Sequence, residues 1–396
     1  MKNRTPEIRF NGFDKEWEQR KLGELVGVYD GVHQTPEYQS EGIMFLSVED
    51  IATMTSSKFI SEEAFERDYK VYPEKGDILV TRIGDVGTPN VVETTEKIAF
   101  YVSLALLKPH DIDSYFLSNS IQSPFVQKGI RNRTLLSAIP QKINKEEIGK
   151  VDILFPTNTE EQKQIGEYFS NLDNLITLHQ QEYDKLVNTK KAMLGKMFPK
   201  AGCNVPEIRF KGFTEPWEQR KFGDLGSVAM CKRIFKEQTT TDGEIPFYKI
   251  GTFGGEPDAF IKRELFEEYK EKFQYPEIGD MLISASGTIG RTVEYTGEDA
   301  YFQDSNIVWF KHDDRVSNSF LKSIYAIVKW SGIEGSTIKR LYNDNFLKTE
   351  FCLPQIEEQK KIGEYFSKLD HLITLHHQEL EKLKKIKASL LGKMLV

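Results

Sequence analysis

Glu160-Glu161-Gln162-Lys163-Gln164-Ile165-Gly166-Glu167-Tyr168-Phe169-Ser170 returns, with one change, as Glu357-Glu358-Gln359-Lys360-Lys361-Ile362-Gly363-Glu364-Tyr365-Phe366-Ser367. The match continues outward: residues 160–198 and 357–395 agree at 26 of 39 positions. Upstream, Pro6-Glu7-Ile8-Arg9-Phe10 returns as Pro206 to Phe210, and Trp17-Glu18-Gln19-Arg20-Lys21 as Trp217 to Lys221. Two copies with a period near 200 residues are not a solenoid, which stacks several short repeats. They form a duplicated pair, an internal pseudo-dimer suited to reading a two-part target with one polypeptide.

The repeated C-terminal parts read as long helices. Thr159-Glu160-Glu161-Gln162, just after Pro156, fits a capping box. The second copy starts after Pro354 without a Ser or Thr cap, so its first turn is expected to fray more. Apolar positions recur in a 4-3 rhythm: Ile165, Phe169, Leu172, Ile176, Tyr183, Leu186, Met193 and Met197, then Ile362, Phe366, Leu369, Ile373, Leu380, Leu383, Leu390 and Met394. His179, Lys190, His376 and Lys387 interrupt this heptad seam. A 38-residue helix is about 57 Å long at 1.5 Å per residue. An internal two-fold requires an antiparallel pair. The register that matches every seam position sets Lys190 beside Asp370 and Lys387 beside Asp173, whereas parallel pairing in register opposes the two lysines, a costly like-charge contact. Pro199, Gly202 and Pro206 end the first helix.

The intervening parts share only a framework: Tyr72-Pro73 with Tyr275-Pro276, Gly76-Asp77-Ile78-Leu79 with Gly279-Asp280-Met281-Leu282, Gly84 to Gly87 with Gly287 to Gly290. Strands are expected over 43–48, 78–83, 245–250 and 281–285, helices over 62–70, 114–128, 263–273 and 319–330. Each variable part reads as one α+β domain of about 150 residues. Divergent variable parts imply two versions of one job, and invariant parts one structural job.

Composition bounds the function. Hydrophobic content of 39% with 12% aromatics is globular. No apolar run approaches the roughly 18 residues of a membrane span, and the first residues lack the apolar core of a signal peptide. Cys203, Cys231 and Cys352 have no metal-type spacing, which fits a reduced, cytoplasmic setting. Net charge is −7, whereas a free-standing DNA binder usually has a basic excess. Residues 1–158 hold 19 basic and 24 acidic side chains, and residues 201–356 hold 20 and 24. Local basic clusters do exist, at Lys128, Arg131, Arg133, Lys142 and Lys145, and at Lys329, Lys339 and Arg340.

The order of globular part, long helix, globular part, long helix closely resembles the specificity subunit of type I restriction-modification systems. The duplicated Glu-Glu-Gln-Lys-x-Ile-Gly-Glu-Tyr-Phe-Ser carries the resemblance, with Leu194-Gly195-Lys196-Met197 and Leu391-Gly392-Lys393-Met394. Gly31-Val32-His33-Gln34-Thr35-Pro36-Glu37-Tyr38 with residues 42–51 looks like a first target-recognition domain of that family. The resemblance implies an α+β chain with target-recognition domains at 1–158 and 199–355 and spacer helices at 159–198 and 356–396, the helices forming an antiparallel coiled coil. It implies double-stranded DNA as partner, read as a bipartite asymmetric site. It further implies two docked methyltransferase (modification) subunits, with restriction/translocase subunits joining for cleavage. S-adenosylmethionine, ATP and Mg²⁺ would belong to those partners, leaving a non-catalytic chain that binds no cofactor or metal of its own. The helices also repeat outward residues that a seam does not require, such as Glu167, Thr177, Gln181 and Glu182, which points to a second surface facing a partner.

Candidate DNA-binding residues fall in three groups. The glycine turns, with Arg82, Ser286 and Arg291 beside them, either bring backbone N–H groups to phosphate or form plain turns needing positive φ. The basic stretch Arg131, Arg133, Gln141 and Lys142, with the counterpart Ser336, Thr337, Lys339 and Arg340, mixes cationic and amide donors suited to phosphates and base edges. His33, Gln34, Thr35, Lys232 and Arg233 lie in polar loops that are base readers or merely turns. Asp258, Glu268 and Lys270 formally fit a Mg²⁺-dependent nuclease, although Glu268 and Lys270 lie in a charge-dense helix where such spacing arises by chance. That enzyme, and a coiled-coil scaffold that binds no DNA, are the alternatives to a DNA-recognition subunit.

Overall fold

A computed structural model describes residues 5–333, 335 and 339–396 of the chain. The chain divides into two compact units. Unit 1 comprises residues 1–181 and 377–396, and unit 2 residues 182–376. Each unit therefore contains part of both long helices.

Unit 1 runs β1 (Glu18–Lys21), α1 (Leu22–Leu25), β2 (Val26–Asp30), β3 (Ile43–Leu46), β4 (Phe59–Ile60), α2 (Glu62–Asp68), β5 (Ile78–Thr81), β6 (Pro89–Val91), β7 (Ile98–Phe100), β8 (Leu104–Pro109), α3 (Ser114–Gln122), α4 (Pro124–Arg133), α5 (Lys145–Gly149), β9 (Asp152–Phe155) and the start of α6 (Thr159–Lys196). One sheet has the order β2-β8-β5-β6 with antiparallel neighbours. A second has the order β4-β3-β7, with β3 and β7 parallel. Strand β5 (Ile-Leu-Val-Thr) is buried along its whole length, as a continuous apolar run in a central strand predicts.

Unit 2 repeats this plan with β10 (Glu218–Lys221), β11 (Gly226–Ala229), β12 (Ile245–Tyr248), β13 (Phe260–Ile261), α7 (Arg263–Lys272), β14 (Met281–Ser284), β15 (Thr292–Glu294), β16 (Tyr301–Phe302), β17 (Ile307–His312), α8 (Asn318–Ile327), α9 (Asn343–Lys348), β18 (Glu350–Leu353) and α10 (Ile356–Met394). Its sheets are ordered β11-β17-β14-β15 and β13-β12-β16, the same topology as unit 1. The α+β duplication read from the sequence is thus a duplication of fold.

One expected helix is two. Residues 114–128 break at Ser123, because Pro124 lacks an N–H and its ring would clash with the carbonyl four residues back. Ser123 closes α3 by donating its N–H to Ser120 O (3.0 Å), and its hydroxyl accepts the Val126 N–H to cap α4, with Pro124 in the first turn.

The repeated sequence blocks meet at the start of each long helix. Strand β1 pairs with β9, and β10 with β18, in equivalent registers. Arg9 forms a bidentate pair with buried Glu161 (Nε to Oε1 2.6 Å, Nη2 to Oε2 2.8 Å). Arg209 does the same with buried Glu358 (2.7 and 2.8 Å). Gln162 donates to Pro156 O (2.8 Å) and accepts the Asp113 N–H (2.8 Å). Gln359 donates to Pro354 O (2.8 Å) and Arg315 O (2.9 Å) and accepts the Ser317 N–H (3.0 Å). The Thr159 capping box is therefore corrected. Asn158 caps α6, its Oδ1 accepting the Glu160 N–H (2.9 Å), while Gln162 turns away to clamp the preceding chain. Helix α10 has the same clamp at its start, so the missing Ser or Thr does not leave its first turn untethered. A Cβ on Gly166 would lie 2.9 Å from Tyr115 Cβ, and one on Gly363 2.6 Å from Ser319 Cβ, which explains the glycine in each copy of the motif.

Helix pairing is antiparallel within each unit. In unit 1, Ile165 and Phe169 share a core with Leu391 and Met394, and Leu390 packs against it. Lys387 Nζ lies 2.6 Å from Asp173 Oδ1. In unit 2, Met197 shares a core with Ile362, Phe366 and Leu369, and Leu186 and Met193 pack against it. Lys190 bonds Asp370. Leu172 and Leu380 are buried, and Ile176, Tyr183, Ile373 and Leu383 are half-buried.

Removing one partner of a buried ion pair strands the other charge, at a cost of about 3–5 kcal/mol. Arg9→Ala or Glu161→Ala should therefore lower the urea midpoint of the purified chain strongly. Lys393→Ala, which removes only the exposed pair with Glu7, should cost at most about 1 kcal/mol.

Candidate nucleic-acid interface

The glycine turns and the basic segments, far apart in sequence, are joined in each unit by the same hydrogen bonds. In unit 1 the Gly84 N–H donates to Gln141 O (2.9 Å), and the Ile143 N–H to Arg82 O (3.0 Å). Ile83 forms a β-bridge with Lys142. In unit 2 the Gly287 N–H donates to Lys339 O (2.9 Å), the Leu341 N–H to Ala285 O (2.8 Å), and Ser286 bridges Arg340. Gln141-Lys142 and Lys339-Arg340 thus occupy the same place, and all four residues are exposed.

Gly84, Gly87, Gly287 and Gly290 all have positive φ, so the glycines serve the turn. Their N–H groups are not a phosphate cradle: Gly87 donates to Thr81 O (2.8 Å) and Gly290 to Ser284 O (3.0 Å), while Gly84 and Gly287 donate as above. The turns act as a platform under the basic segments. Gln127, which sequence reasoning missed, ties the first platform to α4 by donating to Gly87 O (2.7 Å) and Ile121 O (2.8 Å).

Two candidates are corrected. Arg82 is only 6% exposed. Its guanidinium pairs with Asp30, and its Nε donates to Ile143 O (3.2 Å). Burial lowers its pKa from the usual arginine value, with Glu146 opposing. It braces the platform from inside. Ser286 is likewise buried, its backbone held against Arg340.

The remaining candidates lie on the surface. Arg131 is exposed, and half-buried Arg133 donates to Gly129 O (3.2 Å) in its own helix. His33, Gln34 and Thr35 lie on the connection from β2 to β3, and all three are exposed. That connection leaves β2 at Asp30, beside Arg82 and with Lys145 Nζ 3.7 Å away. In unit 2, Lys232 lies over the Phe273 ring (5.0 Å), Arg233 pairs with Asp304 (2.8 Å), and Arg291 donates to Gly254 O (3.1 Å). Ser336 and Thr337 lie outside the described residues.

Electrostatically the segment stands apart from the chain. Residues 114–145 contain five Lys or Arg and no Asp or Glu, against a chain net charge of −7. Such a run attracts a polyanion despite the overall sign. The nuclease alternative finds no site here: Asp258 pairs with Lys249 (2.8 Å), Glu268 with Lys272 (3.1 Å), and Lys270 lies 3.9 Å from Asp299. Among the described residues no group of three or more His, Cys, Asp or Glu side chains is placed to hold a metal, and no helix is long and apolar enough to cross a membrane.

Lys142→Ala and Arg340→Ala should each reduce the slope of log affinity against log salt by about 0.9 for every phosphate no longer neutralised. Arg82→Ala should lower thermal stability while leaving the slope of the folded protein unchanged. The readout is DNA-binding anisotropy across a salt series, with melting followed in parallel.

The profile of the family described as Type I restriction modification DNA specificity domain matches residues 14–188 and again 214–385. A putative type I restriction enzyme specificity subunit from Haemophilus influenzae is 56% identical over 153 residues, which cover 38% of this chain and 40% of that protein. The putative MjaX specificity subunit of Methanocaldococcus jannaschii is 24% identical over 419 residues, covering 96% of this chain and 93% of that one. Among solved structures, the S subunit of a type I restriction-modification system from M. genitalium matches over 99% of both chains, with a TM-score of 0.62 at 15% identity. Two family matches that fall on the two copies of one fold make the conclusion plain: the chain belongs to the type I restriction-modification DNA specificity family.

Proposed function

We propose that this chain is the sequence-reading subunit of a type I restriction-modification complex, with each unit reading one half of a bipartite, asymmetric DNA site. The observation that carries this reading is the twofold recurrence of a glycine platform under an exposed segment with cations, Lys142 beside Gln141 in one unit and Lys339-Arg340 in the other, within otherwise divergent surroundings. Constant framework with variable surface is what two readers of different sequences require. Phosphate contacts from the cations set position, and neighbouring loops such as 33–35 and 134–139 supply base contacts. Specificity subunits are non-catalytic components, so S-adenosylmethionine, ATP and Mg²⁺ fall to the methyltransferase and translocase-nuclease partners. The test is to exchange residues 26–150 for those of a relative and sequence the methylome of the host. One half of the methylated site should change and the other should not; a change in both halves, or in neither, overturns the modular reading.

The long helices offer a face for the partners. Leu175 and Leu178 on α6 and their repeat equivalents Leu372 and Leu375 on α10 are exposed apolar pairs at helical spacing. Glu167 and Thr177 line an adjoining polar cleft of about 660 Å³ in unit 1. An exposed apolar pair duplicated with the helix suits one methyltransferase subunit per copy. Leu175→Lys with Leu178→Lys should remove one methyltransferase from the assembly and leave the other, read as mass by light scattering. Retention of both would exclude this face.

A further inference from the structure

One cluster of side chains is absorbed neither by the fold nor by the cationic contacts. Between α4 and Lys142 the chain presents Leu135, Leu136 and Ile139, exposed by 46%, 64% and 100%. Three large aliphatics within five residues are more than the scattered apolar exposure of an ordinary surface, and such patches mark contact sites. The loop is held at its base. The Leu135 N–H donates to Lys142 O (2.8 Å), the Ala138 N–H to Leu135 O (3.2 Å), and the Gln141 side-chain amide to Gly84 O (3.0 Å). Lys142 bridges both Leu135 and Ile83. The aliphatic tip is therefore carried by the same platform as the cations.

We infer that Ile139, with Leu136, makes the apolar base contact of the first half-site and is specificity-determining. The inference rests on the DNA reading above. Charge selects the occupant: the tip lies within the 32-residue segment that holds five cations and no acid, and a surface that is apolar at its tip and cationic at its base matches a duplex whose phosphates lie outside and whose bases lie inside. Two faces of the bases accept an aliphatic group, the 5-methyl of thymine in the major groove and the stacking surface exposed when a side chain wedges between base steps. The shared chemistry is burial of Ile139 against a base.

The experiment uses the methyltransferase complex assembled on the full chain, and a fluorescent duplex carrying the site that the complex methylates in cells. The Ile139 side chain stands wholly in solvent, so Ile139→Ala should fold as the parent does. Discrimination against a base change at one position of the first half-site should fall by up to roughly 5- to 150-fold, the range that a mismatched base pair costs, with the salt slope unchanged. Replacing thymine by uracil at that position identifies a methyl contact if affinity falls. 2-Aminopurine placed outside the methylated adenines identifies a wedge if its fluorescence rises with the parent chain and not with the variant. Unaltered discrimination at every position in both Ile139→Ala and the Leu136→Ala/Ile139→Ala double variant would overturn the inference, as would a uniform loss of affinity, or weaker subunit assembly with DNA reading intact. If the parent complex shows no sequence preference and no salt dependence, the DNA reading fails and this inference with it. If the parent discriminates and both variants do so equally, only this inference fails.

Discussion

A guanidinium locked to a buried carboxylate at the root of each long helix is the contact on which the two units depend. Glu161 and Glu358 are buried where a lone carboxylate would be costly. Bidentate pairing with Arg9 and Arg209 makes that burial tolerable. The pair ties the N-terminal block of each copy to the helix, and Gln162 or Gln359 ties the helix to the chain entering it and to the turn before α3 or α8. With β1–β9 and β10–β18 added, the invariant blocks become one joint made twice. The joints are not identical at the tryptophan. The Trp17 indole donates to Glu161 (3.3 Å), whereas the Trp217 indole N–H finds no acceptor among the described residues.

An acidic chain can still hold a polyanion when its cations are segregated. Many Lys and Arg of the variable parts lie in ion pairs with neighbouring acids, at Lys21–Asp152, Lys58–Glu49, Lys108–Asp77 and Arg263–Asp299 among others. Segment 114–145 has no acid of its own, and Arg131 and Lys142 stay exposed. Local composition therefore outweighs net charge within a Debye length of about 8–10 Å.

The duplication, the long helices and the main strands are legible in the sequence because each rests on a periodic pattern or a repeated block. The register of the helix pair is legible too, since Lys190 and Lys387 each need a carboxylate. What is not legible depends on partners distant in sequence. Gln162 has the spacing of a capping box, yet its partner Asp113 lies 49 residues upstream. Arg82 has the setting of a surface cation beside a turn, and only its meeting with Asp30 shows it to be internal. Leu135, Leu136 and Ile139 give no hint of their exposure, because a hydrophobic letter carries no sign of where it lies. The break at Pro124 is different: it can be read from the residue itself.

The joint between the start of each repeat and the end of a long helix is made in two ways. In unit 2 the Ile208 N–H donates to Lys196 O (2.9 Å) and Lys196 pairs with Glu207 (3.2 Å), the two partners being linked through residues 197–207. In unit 1 the Ile8 N–H donates to Lys393 O (3.0 Å) and Lys393 pairs with Glu7 (3.0 Å), with no short covalent link between them. The same junction thus holds with and without the peptide connection. The stretch around 199–205 itself rests on unit 2, where Asn204 O accepts the Trp217 N–H (2.8 Å), but unit 1 shows that the junction does not depend on such a link. The connectivity is in this sense circular: each unit closes the start of a repeat onto the end of a long helix, whether or not the chain runs on directly between them.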